Sequence, residues 1–145
     1  HNSPRRQRQM CIRDRLLSEF SGEKGLLLGQ YIDLSSSNTK LEERIELNQL
    51  KTGMLMSFCC QAVAICAGKS KKIEKSLADI GMYIGEIFQI NDDFEDFPLM
   101  SVKNKKFLEN YKLKLSQKIF SIFKKINLKN KKTYLLIEFL LDLKV

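Results

Sequence analysis

Apolar residues along this chain recur with helical spacing. Ile73, Leu77, Ile80, Ile84, Ile87 and Phe88 fall three and four apart, a period that lays one buried stripe along a helix. Earlier, residues 16–34 read as a helix running into the polar connector Ser35-Ser36-Ser37-Asn38. Thr39 and Glu42 stand at capping-box spacing and predict a fresh helix start. That helix reaches Lys51-Thr52-Gly53, where glycine invites a kink, and resumes as the apolar run 54–67 before Gly68 and a turn at 69–72. Gly81 and Gly85, four apart, predict a close approach by another backbone, and Pro98 is expected to close that helix. Leu115, Ile119, Ile122, Phe123 and Ile126 form a further stripe, and residues 133–143 read as helical again. The pattern predicts an all-α helical bundle.

Composition agrees and narrows the class. The chain has 145 residues, the length of one domain, with 43% hydrophobic and 29% charged side chains, which excludes disordered, collagen-like and disulfide-rich classes. Seven Gly and two Pro are too few for the turns of an all-β fold. The longest apolar stretch, 54–67, contains Ser57 and Gln61 and is shorter than the ~20 residues a membrane span needs. Cys11, Cys59, Cys60 and Cys66 form no CxxC pair and His1 is the only histidine, so a zinc site is not expected. The three cysteines in the apolar run read as buried thiols in a reducing cytoplasm.

The net charge of +8 suggests nucleic acid until it is divided along the chain. Residues 1–15 carry +4, residues 16–98 carry −5, and residues 99–145 carry +9. Five of the six arginines fall in residues 1–15, which therefore read as a leader foreign to the rest, with a native basic arm as the alternative. The lysine-rich end lacks interleaved aromatics and reads as a solvated face, with no nucleic-acid partner expected.

The acidic middle holds the chemistry. Phe88-Gln89-Ile90-Asn91-Asp92-Asp93-Phe94-Glu95-Asp96 packs four carboxylates into five residues, with Asp92 and Asp96 on one helical face. Like charges at a helix C-terminus repel, and a divalent cation would reverse that sign. An all-oxygen donor set favours Mg²⁺, although a solvated acidic helix end would carry the same letters. Lys51-Thr52 lies at the expected kink, where amides of a new helix N-terminus and the ammonium could hold a diphosphate. Should the helices flanking the 69–72 turn run antiparallel, Lys51 lies about 25 Å and Asp92 about 30 Å from it, at the same end of the bundle. Gln30 and Asp33, one turn apart, sit near the end of the first helix.

Gly-Gln-x-x-Asp-Leu at 29–34, Lys-Thr-Gly-x-Leu at 51–55 and Phe-Gln-x-x-Asp-Asp-x-x-Asp at 88–96, in this order, resemble the trans-isoprenyl (polyprenyl) diphosphate synthases. The resemblance spans residues 16–97 and extends to 145 as a pair of terminal helices. It implies an isoprenoid-synthase helical bundle, here its C-terminal part, homodimeric when whole. It also implies Mg²⁺-assisted ionisation of an allylic diphosphate and condensation with isopentenyl diphosphate. By position, Asp92, Asp93 and Asp96 would be the metal ligands. Lys51, Thr52, Gln89 and Asp92 would be catalytic, and Gln30, Asp33, Lys51, Thr52 and Gln89 would bind substrate. The family's first aspartate-rich motif with its Arg pair does not occur in these 145 residues, nor does its glycine loop after the second motif. The chain alone is therefore expected to be inactive in condensation. The competing reading is a non-catalytic helical partner or relic of such an enzyme.

Overall fold

Residues 71–96 carry the most regular apolar stripe of the chain, and in the computed structural model they form one unbroken helix that organises the rest. The structure describes residues 4–35, 41–97, 99–127 and Leu135. The described residues form six α-helices: α1 (Pro4–Ser21), α2 (Leu26–Ser35), α3 (Leu41–Asn48), α4 (Met54–Cys66), α5 (Lys71–Asp96) and α6 (Val102–Lys125). A π-helical turn, Gln49–Gly53, joins α3 to α4 without a break. The all-α architecture expected from periodicity is the one observed.

Local chemistry sets the boundaries. The α4–α5 turn closes with Lys69 N–H donating to Ala64 O at 3.0 Å while Gly68 takes φ 65°, a conformation that costs glycine nothing. Ser70 then caps α5, its hydroxyl accepting from Ile73 N at 3.4 Å. Ser101 caps α6 the same way, accepting from Asn104 N at 3.2 Å. Both caps stand where the chain re-enters a helix after a turn. Pro98 and Thr39 lie outside the described residues, as does the expected helix 133–143 apart from Leu135. The observed end of α5 is Asp96, with Phe97 N–H still donating to Asp93 O.

The core lies between α5 and α6. Ile80, Ile87 and Ile90 from α5 meet Leu108, Leu115, Ile119 and Phe123 from α6. Ile122 and Ile126, expected on the same stripe, pack at its margin. Gly81 and Gly85 turn the neighbouring side of α5 toward α4. A Cβ at Gly85 would lie 2.7 Å from Gly53 Cα and 2.9 Å from Thr52 O, so the two backbones touch because neither position carries a side chain. α4 and α5 therefore pack along their length as an antiparallel pair.

Three expectations are corrected. The single helix expected over 16–34 is two helices separated at Gly22 and Gly25, and α1 includes the arginine-rich residues from Pro4. That segment packs on α4, with Gln9 Nε2 donating to Ile65 O at 3.0 Å and Arg13 Nη1 to Cys66 Sγ at 3.2 Å. The apolar-run cysteines are not a buried set: Cys59 and Cys66 are exposed and Cys60 is half-buried. A third side of α4 is left uncovered once α1 and α5 occupy the other two. Gly53, finally, does not start a new helix.

Candidate functional site

The site grows from that last correction. Gly53 has φ −58° and ψ −44°, and the Met54 amide donates to Gln49 O, five residues back. The chain absorbs an extra residue in a wide turn and does not break, a feature common at functional sites. No new N-terminus offers its amides here, so Lys51 and Thr52 act through their side chains.

Two glycines bring those side chains to their neighbours. Gly29 lets α2 close on the π-turn, since a Cβ there would lie 2.8 Å from Lys51 N. Gly85 lets α5 close on it from another side. Lys51 Nζ then pairs with Asp33 Oδ2 of α2 at 2.7 Å, and Thr52 Oγ1 donates to Gln89 Oε1 of α5 at 3.0 Å. The expected meeting of residue 51 with the acidic end of α5 occurs, and Lys51 is close enough to act electrostatically on both Asp92 and Asp93.

The carboxylates divide by environment. Asp93 is buried, accepting from Asn48 Nδ2 at 3.0 Å and facing Arg44 Nη1 at 3.8 Å. Burial pushes its pKa up, against the pull of Asn48, Arg44 and Lys51. Asp92 is half-buried and also pushed up, first by desolvation and then by Glu95, Asp96 and Asp93, with Lys51 opposing. Asp96 is exposed at the helix end. It borders a cavity of about 410 Å³ lined also by Leu41, Arg44, Phe97, Leu99, Met100, Ser101 and Asn104. Arg44 stacks over the Phe97 ring, 4.1 Å from its centroid.

Gln30 is exposed on α2, and the network that joins Asp33, Lys51, Thr52 and Gln89 does not include it. Among the described residues, no three carboxylate, cysteine or histidine side chains converge as a ready metal cage. The donor chemistry still fits a hydrated Mg²⁺, which binds through one or two carboxylates and keeps its waters. Asp92 and its acidic neighbours are mutually repelling oxygens without a nitrogen or sulfur donor.

Sequence reasoning passed over Arg44, Asn48, Gln49, Glu86 and Tyr111. Asn48 lies one turn before Lys51, and Glu86 one turn before Gln89, so both share a helical side with a motif residue. Glu86 is only 2% exposed and accepts from Tyr111 Oη at 2.7 Å, with the Gln49 side chain close to both. A carboxylate between Gly85 and Ile87 in the most apolar part of α5 was the available signal.

Comparison with known proteins bears on family and fold. A family model, "Polyprenyl synthetase", matches residues 14–137. The chain is 33% identical over 131 residues to a farnesyl diphosphate synthase of Buchnera aphidicola subsp. Acyrthosiphon pisum, covering 85% of this chain and 46% of that protein. It is 35% identical over 82 residues to a geranylgeranyl diphosphate synthase of Pseudescherichia vulneris, covering 55% and 27%. Among solved structures, an FPP/GFPP synthase from Zymomonas mobilis superposes with TM-score 0.70 at 28% identity, over 86% of this chain and 47% of that one. The fold is thus that of an isoprenoid-synthase helical bundle. The chain belongs to the polyprenyl synthetase family, and it spans less than half the length of these relatives.

Proposed function

We propose that this chain is the diphosphate-holding part of a Mg²⁺-dependent polyprenyl diphosphate synthase, a prenyltransferase of isoprenoid biosynthesis. The whole protein would condense an allylic diphosphate with isopentenyl diphosphate, as a homodimer in the cytoplasm. The observation that carries this reading is the juxtaposition of Lys51 and Thr52 with Gln89 and the carboxylates of α5. Cation, hydroxyl and amide donors on one side and acidic oxygens on the other suit a metal–diphosphate complex.

In this reading Lys51 exchanges Asp33 for diphosphate oxygens, Gln89 donates through Nε2, and Thr52 turns its one hydroxyl proton from Gln89 Oε1 to the same group. Their hydrogen bond fixes both rotamers before substrate arrives, which lowers the ordering cost of binding. Asp92 and Asp96 would hold Mg²⁺ with Asp93 behind them, tied back by Asn48. When bound, the ion neutralises charge on the departing diphosphate. Gln30 would reach the same pocket from α2.

The test is binding of inorganic diphosphate to the 145-residue chain by titration calorimetry, with and without Mg²⁺. Lys51→Ala is expected to weaken Mg²⁺-dependent binding about tenfold or more, since a charge-assisted contact to diphosphate contributes about 1.5–3 kcal/mol. Its folding stability should change by less than about 1 kcal/mol, because the ion pair with Asp33 is partly exposed. Diphosphate affinity unaffected by both Lys51→Ala and Asp92→Asn would remove the synthase assignment of this site.

A further inference from the structure

Glu86 is a carboxylate buried in the middle of α5 that the diphosphate site does not use. Its partners come from two other elements: Tyr111 Oη of α6 at 2.7 Å and the side chain of Gln49. Lys118 of α6 adds a favourable charge nearby. Burying a carboxylate is expensive even when it is hydrogen-bonded, and an apolar side chain would suit the surrounding Ile87, Ile90 and Leu115 better.

Gln49 explains what the carboxylate does. It is the first residue of the π-turn, and its carbonyl accepts the Met54 amide in the bond that makes the turn wide. Lys51 and Thr52 lie inside that bond. α5 therefore meets the turn at three places, Glu86 close to Gln49 at its start, Gln89 to Thr52 near its end, and Gly85 against Gly53, the turn's last residue. Relaxing the wide turn to ordinary α-helix would shift the register by one residue and swing Lys51 about 100° around the helix axis. That rotation carries its ammonium away from both Asp33 and Asp92.

We propose that Glu86, held by Tyr111, is a positioning residue that fixes Gln49 and so keeps the π-turn in the register that aims Lys51 and Thr52 at the acidic end of α5. The proposal rests on the diphosphate reading of Lys51 and Thr52 for its functional consequence, but the geometry it asserts is tested separately. Amide hydrogen exchange in the full 145-residue chain reads the turn directly at Met54, with Ala64 in the same helix as internal reference. Glu86→Leu is expected to speed exchange at Met54 about tenfold or more relative to Ala64, and to weaken Mg²⁺–diphosphate binding by a similar factor. Glu86→Gln keeps an acceptor for Tyr111 and should restore both to within about threefold of wild type. Tyr111→Phe removes the donor from α6 and should act like Glu86→Leu, in case the leucine variant does not fold.

Equal acceleration at Met54 and Ala64, or none at Met54 in either variant, overturns the proposal, because a merely structural carboxylate would loosen the helix as a whole. Failure of the synthase reading looks different. A wild-type chain that binds no Mg²⁺–diphosphate, while the Met54 comparison separates as described, rejects the diphosphate role of Lys51 and leaves the turn-holding role of Glu86 standing.

Discussion

Asp93 and Glu86 are acidic side chains on one helix, seven residues apart, and both are buried. Asp93 accepts from the Asn48 amide and Glu86 from the Tyr111 hydroxyl, with the Gln49 amide close by. Removing the amide leaves a buried acceptor with less than its due. Asn48→Ala is therefore expected to cost about 1–3 kcal/mol, read as a lower urea midpoint. A change below about 0.3 kcal/mol would mean that Arg44 alone suffices for Asp93. The pH dependence follows from burial. Glu86 is pushed up chiefly by desolvation, against Tyr111, Gln49 and Lys118, so the folded state keeps its proton to higher pH than the unfolded chain does. More protons bound in the folded state means that stability falls as pH rises from about 4, the unfolded carboxylate range, through the folded value. The contribution is fullest below that range. Tyr83 faces the same carboxylate and is itself pushed up, so it stays neutral across this window. Urea midpoints between pH 4 and 7 should decline less steeply for Glu86→Gln than for wild type, and a steeper decline in the variant would contradict the sign.

At the scale of elements, the site is assembled by glycines that let α2 and α5 touch the π-turn. Gly85→Ala would push a methyl into Gly53 Cα, Gly53 N and Thr52 O, all backbone atoms that have no rotamer to yield. Such overpacking typically costs about 1–3 kcal/mol. Because the displaced backbone is that of Thr52, diphosphate binding should fall further than stability predicts. Gly81→Ala, which collides with the backbone of Met56, serves as the comparison. Similar destabilisation with equal binding loss in both variants would mean that Gly85 acts on the fold alone. The same elements show what was legible in sequence. α5 and α6 were readable because Ile80, Ile87, Leu115 and Ile119 recur at helical period and lay down a buried stripe, and α4 because its apolar run lies between Gly53 and Gly68. The convergence of Lys51 with the end of α5 followed from rise per residue alone. The π-turn was not legible, since a one-residue widening leaves Gln49–Gly53 looking like any helix around a glycine. Nor was Glu86, whose burial depends on Tyr111 reaching it from α6, 25 residues away. The split of α1 from α2 was hidden by leucines on both sides of Gly22 and Gly25.

At the scale of the molecule, the described residues bury one face and leave another apolar face open. Leu27, Tyr31 and Leu34 share one side of α2 by their spacing and are 63%, 70% and 80% exposed. Side chains of that kind normally face a partner when they cluster. No helix among the described residues is long and apolar enough to cross a membrane, so that face is not part of a membrane-spanning helix. Catalysis imposes a separate requirement. Ionising an allylic diphosphate demands that the leaving group be neutralised from more than one side while water is kept from the cation. Among the described residues the site offers the α5 carboxylates, Lys51 and an end open to solvent at Asp96. The match covers less than half the length of the chain's relatives. The purified 145-residue chain is therefore expected to bind Mg²⁺–diphosphate yet form no prenyl product from an allylic diphosphate and isopentenyl diphosphate, measured by radiolabel incorporation over hours. Product formation that requires Mg²⁺ and disappears in Asp92→Asn would show that these helices close a competent cavity by themselves, by self-association through the open α2 face. A sedimentation experiment at the same concentration decides that mechanism, because the activity would then rise with the fraction of chain in the associated form.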